Sequence, residues 1–483
     1  MGVSKSPCYV YLLALTASLG GYTTGLYFTV FNATLLELER ALPSQITPHV
    51  EGLIQSFIPL GGLISGLLSG LLAESLGRRK GLIVVDLLSI IGCILTILKS
   101  TPIVWLFLLG RLICGLTVGL NWTIVTLYIR ETAPVNMSGR MGSFFKVLFA
   151  FGILTNYAMS FMLPKDDSPS DLWRVLFAFP ALVSFIRASL LLFVFPLDTP
   201  KYYILKENHE AAYEALRRIY KEEYVNTIFE KEKKAPKFTE VKDYFRGRFT
   251  TQFKLACMLI AIFQFTGVNF VTFYSTKMFF SGGRTEATYL REFNLMIGLI
   301  RMLCALCAGP LADKIGRRWL FIIGDALITI ALFLLGLLSQ LHQHGGVKFF
   351  LLFYVVINGF TFATILPVYM AEVLPLPGCG YAVSFENLLV FLVIYAFPLF
   401  VNLMGLQTVF YLCFFCGVGG FVYIYSRVKE TKGKKDSEIY NEFNADGANF
   451  GLLDDDMNET PTSKGRSASD DRDEIYSYSK ILS

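Results

Sequence analysis

The residues best suited to chemistry in this 483-residue chain come in matched pairs. Gly70 to Arg79 reads GLLAESLGRR and Gly309 to Arg318 reads GPLADKIGRR; both fit G-x-x-A-acid-x-x-G-R-R, and their starts lie 309 − 70 = 239 residues apart. Each copy offers an acid, Glu74 or Asp313, and an arginine pair, Arg78 with Arg79 or Arg317 with Arg318. Glycine permits a tight turn, and a carboxylate facing guanidinium makes charge-assisted hydrogen bonds. Tyr128-Ile-Arg-Glu131-Thr-Ala-Pro134 likewise matches Tyr369-Met-Ala-Glu372-Val-Leu-Pro375, with glutamates 372 − 131 = 241 apart. Glu131 and Glu372 are therefore expected to reach the arginine pairs as breakable inter-helix latches holding one face shut. Arginines that merely set topology would not explain why loop and glutamate recur together. Asp86 and Asp325 form a third pair (325 − 86 = 239), deep enough in a helix to need protein or water around them. The sequence has no nucleophile–base constellation, no nucleotide-binding glycine loop after a strand and no metal cluster, so no enzyme, cofactor or metal site is expected.

The elements that must position these residues are membrane helices. The chain is 54% hydrophobic and 17% charged, against roughly a quarter charged in soluble domains. Apolar stretches long enough to cross a bilayer, about 20 residues each, fall near 8–30, 50–73, 81–98, 103–129, 141–163 and 173–196, then near 251–280, 292–312, 319–339, 349–370, 382–404 and 406–426. The expected fold is all-α: twelve transmembrane helices in two six-helix bundles, 1–196 and 251–430. Between them, 197–250 contains KENHEAAYEALRRIYKEEY, apolar at helical spacing among mixed charges, and reads as a helical linker in water. The formal charge of +5 reports topology, because Lys and Arg collect in loops; no nucleic-acid partner is expected. Those loops put Arg78 to Lys80, Arg130, Arg140, the linker, Lys314, Arg317, Arg318 and the 427–435 cluster on one side, which the positive-inside rule makes cytosolic along with both termini. Of nine cysteines, all but Cys8 and Cys379 lie in apolar segments and read as small buried hydrophobes.

Met1 to Pro7 is too short for a cleavable leader, so the first apolar segment is expected to remain as a helix. Residues 431–483 read as a disordered cytosolic tail rich in Ser, Asp, Glu and Asn, open to kinases, with Tyr478-Ser-Lys-Ile481 shaped like a signal for sorting adaptors. The sequons at Asn32, Asn121, Asn136 and Asn458 lie too near or within the bilayer, or on the cytosolic side, and are expected to stay unmodified.

Six ordered motifs resemble the sugar porter family of the major facilitator superfamily: Gly70 to Lys80, Gly110-Arg111-x-x-x-Gly115-x-x-x-Gly119, Glu131-x-x-Pro134, Asp198-Thr-Pro-Lys201, Gln264-Phe-Thr-Gly-Val-Asn269 and Glu430-Thr-Lys-Gly433. The similarity runs from about 8 to 440. It implies a two-bundle carrier working by alternating access on a small polar solute such as a hexose, in the lipid bilayer, with the plasma membrane expected. It also implies that Gln264, Asn269 and Asn387 hydrogen-bond sugar hydroxyls, as amides with both donor and acceptor suit a polyol. The chain departs from the family pattern at Phe263 (a glutamine in the family), Pro367 and Leu388 (tryptophans), Lys146 (glutamine) and Arg301 (asparagine).

Two departures introduce cations. Arg301 lies twelve residues from Asp313, about 18 Å along a helix, which is mid-membrane. It either faces the pathway or pairs with an acid such as Asp325 or Glu386. Lys146, six residues after Arg140, either lines the site or extends back to the interface. If both line the pathway, an organic anion or sugar phosphate rivals a neutral hexose. Proton symporters of the family carry an Asp on helix one near the helix-four arginine. Here Tyr27 stands there and Arg111 keeps the other half. Tyrosine ordinarily titrates near pH 10, so downhill facilitation is expected over proton symport. A sugar sensor that binds without transporting is the remaining alternative.

Overall fold

The computed structural model describes residues 6–41, 47–98, 103–134, 137–164, 170–233, 244–245, 247, 249–280, 287–434, 438–439 and 442–443. The first half contains α1 (Pro7–Ala41), α2 (Pro48–Leu76), α3 (Arg78–Ile97) and α4 (Ile103–Leu120). A π turn (Asn121–Val125) joins α4 to α5 (Thr126–Thr132), followed by α6 (Ser138–Met159) and α7 (Trp173–Ser189). Three short helices follow: α8 (Pro200–Leu205), α9 (His209–Ile219) and α10 (Glu222–Lys233). The second half contains α11 (Thr250–Phe265), α12 (Val268–Phe280), α13 (Ala287–Ile315), α14 (Arg317–Gln340), α15 (His344–Phe360), α16 (Phe362–Val373), α17 (Leu376–Met404) and α18 (Leu406–Arg427). No strand occurs among the described residues.

Ten helical spans are long and apolar enough to cross a membrane, with α4–α5 and α15–α16 each counted once, and the bent pair α11–α12 makes eleven. α1, 35 residues long, falls outside that set and is the expected twelfth span. It is less apolar because Thr16, Ser18, Thr23, Thr24 and Thr29 interrupt it, yet all five are buried. The hydroxyls of Thr24 and Thr29 bond to the carbonyls of Gly20 and Gly25 one turn back. A helix enclosed by protein has no need of an apolar outer surface. α1 also runs past the expected end near residue 30, because its polar continuation finds partners in the second half, described below.

Two spans expected to be continuous are broken. The α11–α12 pair bends by 43° at Gly267, whose φ of +88° suits glycine. The Tyr354 hydroxyl bonds the Thr266 carbonyl beside the break at 3.0 Å. α15 gives way to α16 at Thr361 (φ −112°, ψ −102°). Apolarity, which sets the length of a run, is indifferent to such backbone angles.

The described part of the expected linker holds the three helices α8, α9 and α10. Thr199 and Asn208 cap α8 and α9 by accepting from the amides of Tyr202 and Ala211. Ala212, Leu216, Val225 and Phe229 form a small apolar core between α9 and α10. Large side chains such as Leu71, Phe193, Leu403 and Phe415 face outward, as a lipid-facing surface requires. Residues 1–439 form one unit; of the remainder, 440–483, only residues 442–443 are described. The sorting-like Tyr478 to Ile481 and most of the expected tail lie outside the described residues.

Candidate functional site

The duplicated loops build two near-identical clusters on one face of the helices. Gly77, between α2 and α3, has φ +87°, and Gly316, between α13 and α14, has φ +98°. Those turns expose the first amides of α3 and α14, which an acid then takes. Asp198 accepts from the backbone amides of Arg78 (3.1 Å) and Arg79 (3.0 Å), and Glu430 from those of Arg317 (2.8 Å) and Arg318 (3.1 Å). Burial is the larger influence on Asp198 and raises its carboxyl above the usual range; hydrogen bonds from Thr199, Arg79 and Arg78 oppose it. The side chain of Arg78 bonds Glu131 at 2.7 Å, and that of Arg317 bonds Glu372 at 2.8 Å. Thr199 donates to the other oxygen of Glu131, and Thr431 to that of Glu372, each at 2.6 Å. Arg79 and Arg318 turn outward to helix-end carbonyls, of Leu191 and Phe195 for one and Tyr425 for the other.

These pairs differ from the expected latches in one respect. Each closes inside its own half, joining α3 to α5 or α14 to α16, because the arginine and its glutamate belong to helices of the same bundle. Glu74 is exposed and takes no part among the described residues, and the side chain of Asp313 lies outside them.

Within the bent span, the break in α11–α12 gathers a polar ridge. Gln264 sits just before Gly267 and Asn269 just after it; the Asn269 amide donates to the Gln264 side-chain oxygen, and Gln264 donates to Glu386 of α17 at 3.0 Å. Phe263 stacks on Phe362, with ring centroids 5.8 Å apart. Asn387 is brought near a different surface: it donates to Val383 of its own helix, and its side-chain oxygen packs against Gly62 of α2. Arg301 donates to Thr272, one turn beyond Asn269, at 2.6 Å. It makes no ion pair with Asp325 or Glu386 among the described residues. Lys146 reaches across the halves to the Thr364 carbonyl at 3.0 Å.

Tyr27 is held elsewhere. Its hydroxyl bonds Ser89, which in turn meets Ser184, all within the first half. Arg111 donates to the carbonyls of Tyr27 and Ile54, so the tyrosine hydroxyl and the arginine face different partners.

On the face opposite the arginine pairs, the halves are bonded together. Asn32 of α1 donates to Ser275 (2.7 Å), Gln55 to the Phe273 carbonyl (2.8 Å), and Tyr395 meets His49 (3.0 Å). Arg291 of α13 pairs with buried Glu37 of α1 at 3.2 Å and also donates to the carbonyls of Leu163 and Pro164.

Residues 10–443 match the family described as "Sugar (and other) transporter". The chain belongs to that family. The transporter is 26% identical over 446 residues to the glucose transporter GlcP of Staphylococcus epidermidis, across 89% of this chain and 96% of the relative. It is 27% identical over 409 residues to hexose transporter 1 of Toxoplasma gondii, across 79% and 71%. Among solved structures, the xylose transporter XylE of E. coli in a partially occluded, inward-open conformation aligns with a TM-score of 0.77 at 22% identity, over 88% of this chain and 99% of that one. That likeness gives the transporter the major facilitator fold.

Sequence reasoning left four residues of the transporter without a role. Asp198 and Glu430 cap the loops; the signal was the acid-Thr pair after the last span of each half, 430 − 198 = 232 residues apart. Arg187 of α7 binds Asp86 through contacts of 2.7 to 3.0 Å and Asn121 of the π turn at 2.8 Å. Its signal was the buried Asp86, which needs a cation. Glu386 was visible only as a partner for Arg301.

Proposed function

We propose that this membrane protein carries a neutral hexose, or a related small polar solute, down its gradient by rocking its two halves about the ridge at Gln264 and Asn269. The observation that carries the proposal is that ridge: neutral amides at a helix break within a membrane span, bonded to one another through donor and acceptor. Glucose and hexose carriage by GlcP and the Toxoplasma relative, as their names state, supports the substrate class. Downhill movement is supported by helix one, where Tyr27 replaces an acid and is engaged with Ser89. Phe263, Asn387, Lys146 and Arg301 complete the pathway in this reading, and the two arginine-pair clusters stabilise its cytosolic ends. In this reading the membrane is the plasma membrane, the basic loops favour cytosolic termini, and the divisions fall at 1–196, 197–250, 251–430 and 431–483.

Labelled glucose uptake into proteoliposomes tests the proposal. Saturable uptake that is unaffected by an imposed pH gradient is expected; uphill accumulation driven by that gradient would remove the downhill reading. The second reading is an organic-anion or sugar-phosphate carrier, favoured by the absence of a carboxylate partner for Arg301 among the described residues. If Arg301→Asn abolished sugar-phosphate uptake and raised hexose uptake, that second reading would replace the first.

A further inference from the structure

We infer that Glu386 is a specificity-determining residue of this pathway: its carboxylate accepts hydrogen bonds from the hydroxyls of a neutral sugar and turns away anionic solutes. The inference rests on the carrier reading above and names a residue that reading does not use.

Glu386 lies ten residues into α17, about 15 Å along the helix, where an ionisable side chain is costly unless protein or water receives it. It is half-buried, and no Lys or Arg pairs with it among the described residues. One of its oxygens accepts from Gln264 at 3.0 Å. The same amide's oxygen is taken by Asn269, so Gln264 is oriented from both ends. An ionised carboxylate has about four acceptor positions, and the Gln264 bond uses one. Thr272, one helical turn after Asn269, holds Arg301 at 2.6 Å. The ridge therefore runs from an acceptor pole at Glu386, through two amides, to a donor pole at Arg301. A polyol, every hydroxyl of which both donates and accepts, satisfies both poles. A sugar acid or phosphate satisfies only the guanidinium and is repelled at the other end.

Glu386→Gln is the informative variant, because it keeps an oxygen for Gln264 and removes the charge. A residue that only orients Gln264 would tolerate that change. In proteoliposomes containing the full-length protein, initial glucose uptake is measured against competing monodeoxyglucoses and glucuronate. For the unaltered protein, one deoxy analogue is expected to compete at least about tenfold more weakly than glucose, since a site built to bond a hydroxyl rejects the analogue lacking it. In Glu386→Gln, KM for glucose should rise about tenfold, the handicap of that analogue should largely vanish, and glucuronate should begin to compete. A KM within about twofold of the unaltered protein, with the same analogue ranking, overturns the inference and leaves the carrier reading standing. If Glu386→Gln fails to fold, the unaltered protein still decides: equal competition by all the deoxy analogues overturns the inference. No uptake of any neutral sugar by the unaltered protein overturns both.

Discussion

Asp86 and Asp325 occupy matched positions in the two halves and are both fully buried, but among the described residues only Asp86 has a cation. Both oxygens of Asp325 lack a hydrogen-bond partner among the described residues. Removing one member of a buried ion pair strands the other charge, which costs about 3–5 kcal/mol. Asp86→Asn is therefore expected to lower the thermal unfolding midpoint in detergent markedly, whereas Asp325→Asn should leave it unchanged or raise it, because no partner is lost. Tyr27→Phe should cost about 1 kcal/mol through its bond to Ser89 while leaving KM for glucose unaltered; a large rise in KM would put the hydroxyl in the pathway. At this scale duplication decided what could be read beforehand. Glu131 and Glu372 were legible because motif and counterpart recur together. Arg187 was not, since it sits alone in an apolar run, and its role depends on Asp86 and Asn121 from two other helices.

The helices were legible as apolar runs, and their breaks were not. Gln264-Phe-Thr-Gly-Val-Asn269 reads as part of one long span, yet Gly267 divides it and so sets the two amides on either side of a bend. Gly316 has the same kind of φ, and a Cβ there would lie 2.6 Å from the Glu430 carboxylate. Gly316→Ala should therefore both strain the backbone, by about 1–3 kcal/mol, and push Glu430 off the first amides of α14. The expected result is a lower unfolding midpoint and slower uptake, which restoring Gly316 reverses. Gly77→Ala should behave alike, because its Cβ would lie 2.4 Å from Asp198.

The two halves are stapled on the face opposite the arginine pairs, by Asn32 with Ser275, Gln55 with Phe273, and Glu37 with Arg291. The arginine clusters, by contrast, stiffen each half separately. A carrier that rocks must open the first set and can leave the second intact. Asn32→Cys combined with Ser275→Cys, bridged by an oxidant, should arrest uptake, and reductant should restore it; unimpeded uptake after complete bridging would show that this face never opens. These three bonds were not foreseeable, since each joins residues more than 200 positions apart that share no motif.

The low apolarity of α1 bears on how the chain is made. Its threonines and glycines are sheltered by neighbours that are translated later: Gly25 packs against the carbonyl of Phe149, and Asn156 donates to Leu26 and Thr29. Translated before α6, α1 meets lipid without that shelter and partitions weakly into it. Its commitment to the bilayer therefore waits on the arrival of α6. Biogenesis must hold this helix in reserve, and a chain truncated before α6 is expected to leave α1 poorly inserted.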